Sequence, residues 1–147
     1  MNDWMKTAIV GFIAGALSVL IFHQAGFWIA KELKILPTVR LYNMTGVPPW
    51  GVPAIVSAAF WGGLWGIAAA FIVERLPGSL KGVLGWVLFA AIVVTLVNWI
   101  VVAPLKGQPV GYGFRAPGLY VVPAVYAVWG FGMWLIAKIE RKALNWP

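Results

Sequence analysis

The chain has 147 residues, of which 62% are apolar and 10% charged, and its formal net charge is +7. A soluble domain carries about a quarter charged residues, so an ordinary water-soluble globule is excluded; disorder, which needs low hydrophobicity and high charge, is excluded by the same numbers. Without cysteine and with His23 as its single histidine, the chain has no disulfide chemistry, no thiolate or multi-histidine metal site, and no haem held by two of its own histidines.

The first apolar run, Thr7 to Ala30, has no Asp, Glu, Lys or Arg. It is longer than the 7–15 residue core of a signal peptide and has no small-residue cleavage site before Lys31, so it is read as a retained helix. The second uncharged run is Leu41 to Val73, with Pro48 and Pro49 closing a loop and Pro53 suited to a first helical turn. Pro77-Gly78 marks a turn. The third run is Gly82 to Leu105 and the fourth Ala116 to Ala137, with Pro123 expected to kink the last helix or mark a later start. A span of about 20 residues crosses a hydrocarbon core of about 30 Å. Backbone groups in lipid must be satisfied within the segment, so each run is predicted to be helical. The expected fold is all-α: one domain, an up-down bundle of four transmembrane helices over about 7–30, 53–73, 82–105 and 116–137. The connections are Lys31 to Val52, Glu74 to Lys81 and Lys106 to Arg115, and Lys31-Glu32-Leu33-Lys34 is a candidate extension of the first helix.

Lys6, Arg75, Lys81, Lys138, Arg141 and Lys142 lie on the side of the termini, against Lys31, Lys34, Arg40, Lys106 and Arg115 on the other. The bias is slight, but the dense cluster at 138–142 favours cytoplasmic termini. Ten tryptophans are present. Trp4, Trp28, Trp50, Trp86 and Trp146 fall near span ends, where aromatic belts form. Trp61, Trp65, Trp99, Trp129 and Trp134 lie deeper, as core or contact residues. The positive charge is read as contact with anionic headgroups. Nucleic acid is not expected, since no basic stripe accompanies a recognition fold.

Small residues predict how the helices meet. Ala58, Gly62, Gly66 and Ala70 recur every four residues along the second helix, and Gly11 and Gly15 form a GxxxG in the first. Close backbone approach supplies packing energy in lipid, where the hydrophobic effect between helices is absent. The two seams are expected to meet within one chain.

Counting from span centres puts His23, Ser57, Asn98 and Tyr120 at about 7–10 Å from the midplane at about 1.5 Å per residue, all on the side away from the termini. Gln24 and Thr95 join that half. Intramembrane polar residues are costly and often functional. His23, Gln24, Ser57, Asn98 and Tyr120 are therefore either a packing network or a candidate cofactor site. The imidazole of His23 suits axial ligation of haem or a chlorophyll-type pigment, or a hydrogen bond to a quinone carbonyl. No metal site is expected. Lys106, Gln108 and Arg115 belong to a basic, glycine-containing loop on the same side and are candidates for contact with an anionic headgroup. No Asp, Glu, Lys or Arg lies within any predicted span. A proton-coupled transporter needs such a relay, and the small four-helix multidrug exporters, similar in length, depend on a membrane-embedded glutamate.

Phe22-His23-Gln24, Pro48-Pro49-Trp50-Gly51-Val52-Pro53, Ala59-Phe60-Trp61-Gly62-Gly63-Leu64-Trp65-Gly66, Ala103-Pro104-Leu105-Lys106-Gly107-Gln108-Pro109 and Trp129-Gly130-Phe131-Gly132 follow one another along nearly the whole chain. In these motifs the chain resembles a family of short bacterial inner-membrane proteins without an assigned role. That resemblance implies a multi-pass protein of the bacterial cytoplasmic membrane and brings no substrate or cofactor with it. The expected function is non-catalytic: an accessory or assembly subunit of a respiratory or photosynthetic complex, in contact with lipid and other membrane subunits. The alternatives are a small homo-oligomeric transporter or channel lined by His23, Gln24, Asn98 and Ser57, and a quinone-, haem- or pigment-binding protein using His23.

Overall fold

A computed structural model describes residues 1–146. Four long apolar helices carry the fold: α1 (Asp3–Glu32), α2 (Ala54–Val73), α3 (Val83–Leu105) and α4 (Gly118–Ala143). Each is long and apolar enough to cross a bilayer. The chain is therefore a four-helix bundle of the expected class. Helix α1 starts where the side chain of Asn2 accepts a hydrogen bond from the Met5 amide at 3.1 Å, satisfying one of the free N–H groups of a first turn. It stops at Glu32, and Lys34 turns to φ 59°, so the helix does not run on to Lys34.

Within the ring, α1 packs on α2 and on α4, and α4 packs on α3. Contacts between α2 and α3 concentrate on the first part of α3, where Trp65 meets the Phe89 ring edge-on at 6.1 Å. The tightest contact is the glycine crossing. A Cβ added at Gly66 would lie 2.9 Å from Gly15 Cα and 3.0 Å from the Gly11 carbonyl carbon. One added at Gly15 would meet the Gly62 carbonyl and sit 3.0 Å from Gly66 Cα. The two small-residue seams thus meet backbone to backbone inside one chain. Ala70 is fully buried and Ala58 packs partly buried against the same core.

Two helices are not uniformly α. α1 widens into a π-helical stretch at Val19–His23, and α3 does so at Phe89–Val94 and Asn98–Val102. In a π turn the hydrogen bonds run i→i+5, so residues five apart share a face. Burial follows that rule: Phe89 and Val94, then Ala90 and Thr95, are buried pairs five apart. Pro123 lies in the second turn of α4, and the helix continues through it without interruption.

The connection from α1 to α2 holds a small antiparallel hairpin, β1 (Gly46–Val47) with β2 (Val52–Pro53), in the register Val47 opposite Val52. Its tip carries Trp50, 86% exposed. A 3-10 turn at Gly78–Lys81 joins α2 to α3, and another at Val110–Gly113 precedes α4. At the face of the termini, Arg141 of α4 forms an ion pair with Glu74 at the end of α2.

Candidate functional site

The polar residues inside the bundle gather against α4, on the side away from the termini. Ser18 Oγ donates to the Trp129 carbonyl at 2.7 Å, and Trp129 Nε1 donates back to the Gly15 carbonyl at 3.1 Å. These two bonds tie α1 to α4 beside the glycine crossing. One π turn further on, the His23 ring stacks on Tyr126 at 5.9 Å with 26° between planes, and Phe27 meets it edge-on at 4.8 Å. In an α-helix Ser18 and His23, five residues apart, would point about 140° apart at 100° per residue. The π stretch between them turns both toward α4.

From α3, Asn98 Nδ2 donates to Tyr126 Oη at 3.1 Å. Thr95 is buried just before it. His23 Nδ1 and, on α3, Thr95 Oγ1 are buried without a hydrogen-bond partner among the described residues. Gln24 is occupied differently: its Oε1 accepts from the Tyr42 amide at 2.8 Å, and Tyr42 Oη donates to the Leu20 carbonyl at 2.7 Å. The connection after α1 therefore folds back alongside α1 by two turns or more and is pinned there.

With Gly15 against Gly62, two further turns along α1 bring His23 level with Ala54, the first residue of α2. On the other side of the bundle His23 meets Tyr126, two turns inside α4, and through it Asn98, two turns before the end of α3. His23 therefore lies beside the start of the shorter helix α2 and within the length of the other three.

Tyr126 joins His23 to Asn98; Thr95 is buried one turn before Asn98 on α3, and Gln24 follows His23 on α1. Tyr120 does not join them. It is 57% exposed, because nine residues before Trp129 is half a revolution round α4 at 100° per residue. Tyr126 takes the place assigned to it. Ser57 is half-buried and makes no side-chain hydrogen bond among the described residues. Lys106, Gln108 and Arg115 are all exposed. A shallow, open basic recess on that face lies on the other connection, lined by Lys31, Arg40, Leu41, Tyr42, Asn43, Met44 and Thr45.

Among the described residues, no three histidine, aspartate or glutamate side chains converge to hold a metal ion. No protein-family model, curated protein or solved structure matches the chain.

Proposed function

We propose that the protein is a non-catalytic accessory or assembly subunit of a larger bioenergetic complex, belonging to the family of short bacterial inner-membrane proteins it resembles. Its place is the cytoplasmic membrane, with cytoplasmic termini, and its working surface is lateral. What supports this reading is Trp61. It sits two or three residues from the midpoint of α2 (Ala54–Val73), yet it is 59% exposed. Tryptophan normally lies at the membrane interface, where its N–H meets water. Among the described residues the one indole that donates a hydrogen bond is that of Trp129. An indole N–H facing hydrocarbon without an acceptor costs roughly 1–3 kcal/mol. A neighbouring subunit that supplies a carbonyl or hydroxyl at that depth removes the penalty.

Native-gel migration of mildly solubilised membranes tests this reading. The protein should run with a larger assembly, and Trp61→Leu should release part of it. Migration of the unaltered chain only as a small free oligomer would refute the reading.

A second reading rests on His23 Nδ1, buried and unpartnered: a quinone, haem or chlorophyll-type pigment would satisfy it. A colourless, quinone-free preparation dismisses this.

A further inference from the structure

The recess beside the end of α1 carries an inference independent of the accessory-subunit reading. Its lining brings together Lys31 and Arg40, the amide of Asn43 and the hydroxyl of Thr45, with no carboxylate among the lining residues. Neither Lys31 nor Arg40 is in an ion pair among the described residues. The carbonyls of a helix C-terminus would ordinarily repel an anion. Here the carbonyls of Ile29, Ala30 and Lys31 already accept from the amides of Leu33 to Leu36, which blunts that repulsion. The wall opposite α1 is fixed, because Tyr42 is pinned to both Gln24 and Leu20 and Asn43 Oδ1 accepts from the Thr45 amide at 3.0 Å. The Asn43 side-chain N–H₂ donates to no acceptor among the described residues. Next to this face of α1 runs an exposed apolar strip through Ile21 and Trp28, two turns apart, and Met44 adds to it from the loop. Two cations and neutral donors with an adjoining apolar track match a molecule with a phosphate at one end and hydrocarbon at the other.

We propose that this recess binds the phosphate of an anionic phospholipid, with Lys31 and Arg40 supplying the charge and the acyl chains lying along Ile21 and Trp28. Free phosphate shares the headgroup's chemistry but not the apolar track. Each basic residue near an anionic surface is worth about 1 kcal/mol, or about fivefold in affinity, so the pair should contribute about thirtyfold.

The test is native mass spectrometry of the full chain in detergent, titrated with phosphatidylglycerol, with phosphatidylcholine of the same acyl chains, and with inorganic phosphate. Phosphatidylglycerol should be retained in preference to phosphatidylcholine, and millimolar phosphate should not displace it. Lys31→Gln with Arg40→Gln should weaken retention by about thirtyfold, while Lys31→Arg with Arg40→Lys keeps it within a few-fold. Lys106→Gln with Arg115→Gln removes the same charge from the other loop on that face and should leave retention within about twofold. Equal losses in the two neutralised pairs would reduce the effect to a general field and overturn the site. Equal retention of phosphatidylcholine, or full displacement by phosphate, would overturn it as well.

Discussion

Replacing Gly66 by alanine puts the helix crossing under direct strain. The added Cβ would meet the Gly11 carbonyl and lie 2.9 Å from Gly15 Cα. Every atom in its way is backbone, so no side chain can rotate to make room and α1 must move away from α2. Overpacking of a close-packed interior costs about 1–3 kcal/mol, and a rigid obstacle places this case at the upper end. Alanine recovers about 1 kcal/mol of helix propensity over glycine. The net loss is about 2 kcal/mol, or roughly thirtyfold in the unfolding equilibrium at tenfold per 1.4 kcal/mol. Titration of mixed micelles with sodium dodecyl sulfate, followed by tryptophan fluorescence and circular dichroism, measures it. Gly118→Ala is the control: its Cβ would meet nothing within 4 Å, and it should change stability by no more than about 0.5 kcal/mol. Equal unfolding curves for the two variants would refute the backbone-to-backbone crossing.

Three further outcomes follow from the polar contacts. Trp129→Phe removes the donor to the Gly15 carbonyl and should cost about 1 kcal/mol in the same titration; no change would mean that the α1–α4 contact does not use that bond. The pair Asn98→Leu and Tyr126→Phe, measured singly and together, should show a coupling of about 0.6 kcal/mol, the average for such bonds in membranes, and strict additivity would deny the bond. Gln24→Leu frees the Tyr42 amide, so trypsin should cut after Arg40 faster in nanodisc-embedded protein; an unchanged rate would show that Gln24 does not hold the loop.

The spans and seams were legible because they depend on composition and spacing alone. Charge-free runs bounded by Lys, Arg and Pro place the helices to within a few residues, except that α4 continues six residues past Ala137 through its charged end, and glycines four apart mark the face where backbones touch. The polar cluster was only half legible. Position along a helix follows from counting residues, but the face a side chain occupies does not follow from depth. Val121, Val125, Trp129, Met133 and Ala137 are buried at intervals of four, and against that stripe Tyr126 is an inner residue and Tyr120 an outer one. The π stretches leave no mark of their own in the sequence: a period of 3.6 residues does not pair Ser18 with His23 or Ala90 with Thr95, and those five-residue intervals stand out only beside the partners they face. The hairpin behind Trp50 has a local signal in Val47-Pro-Pro-Trp-Gly-Val52, a turn-forming tetrapeptide between two valines.

The whole account stands on four crossings of the bilayer, and the absence of cysteine from the chain makes that directly measurable. Single substitutions Lys6→Cys, Lys81→Cys, Lys142→Cys, Lys34→Cys and Lys106→Cys can be labelled with an impermeant maleimide in sealed inverted membrane vesicles. The first three should react from one face and the last two only after the membrane is opened. Labelling of Lys81→Cys together with Lys106→Cys from the same face would mean that α3 does not cross, and the bundle described here would be wrong.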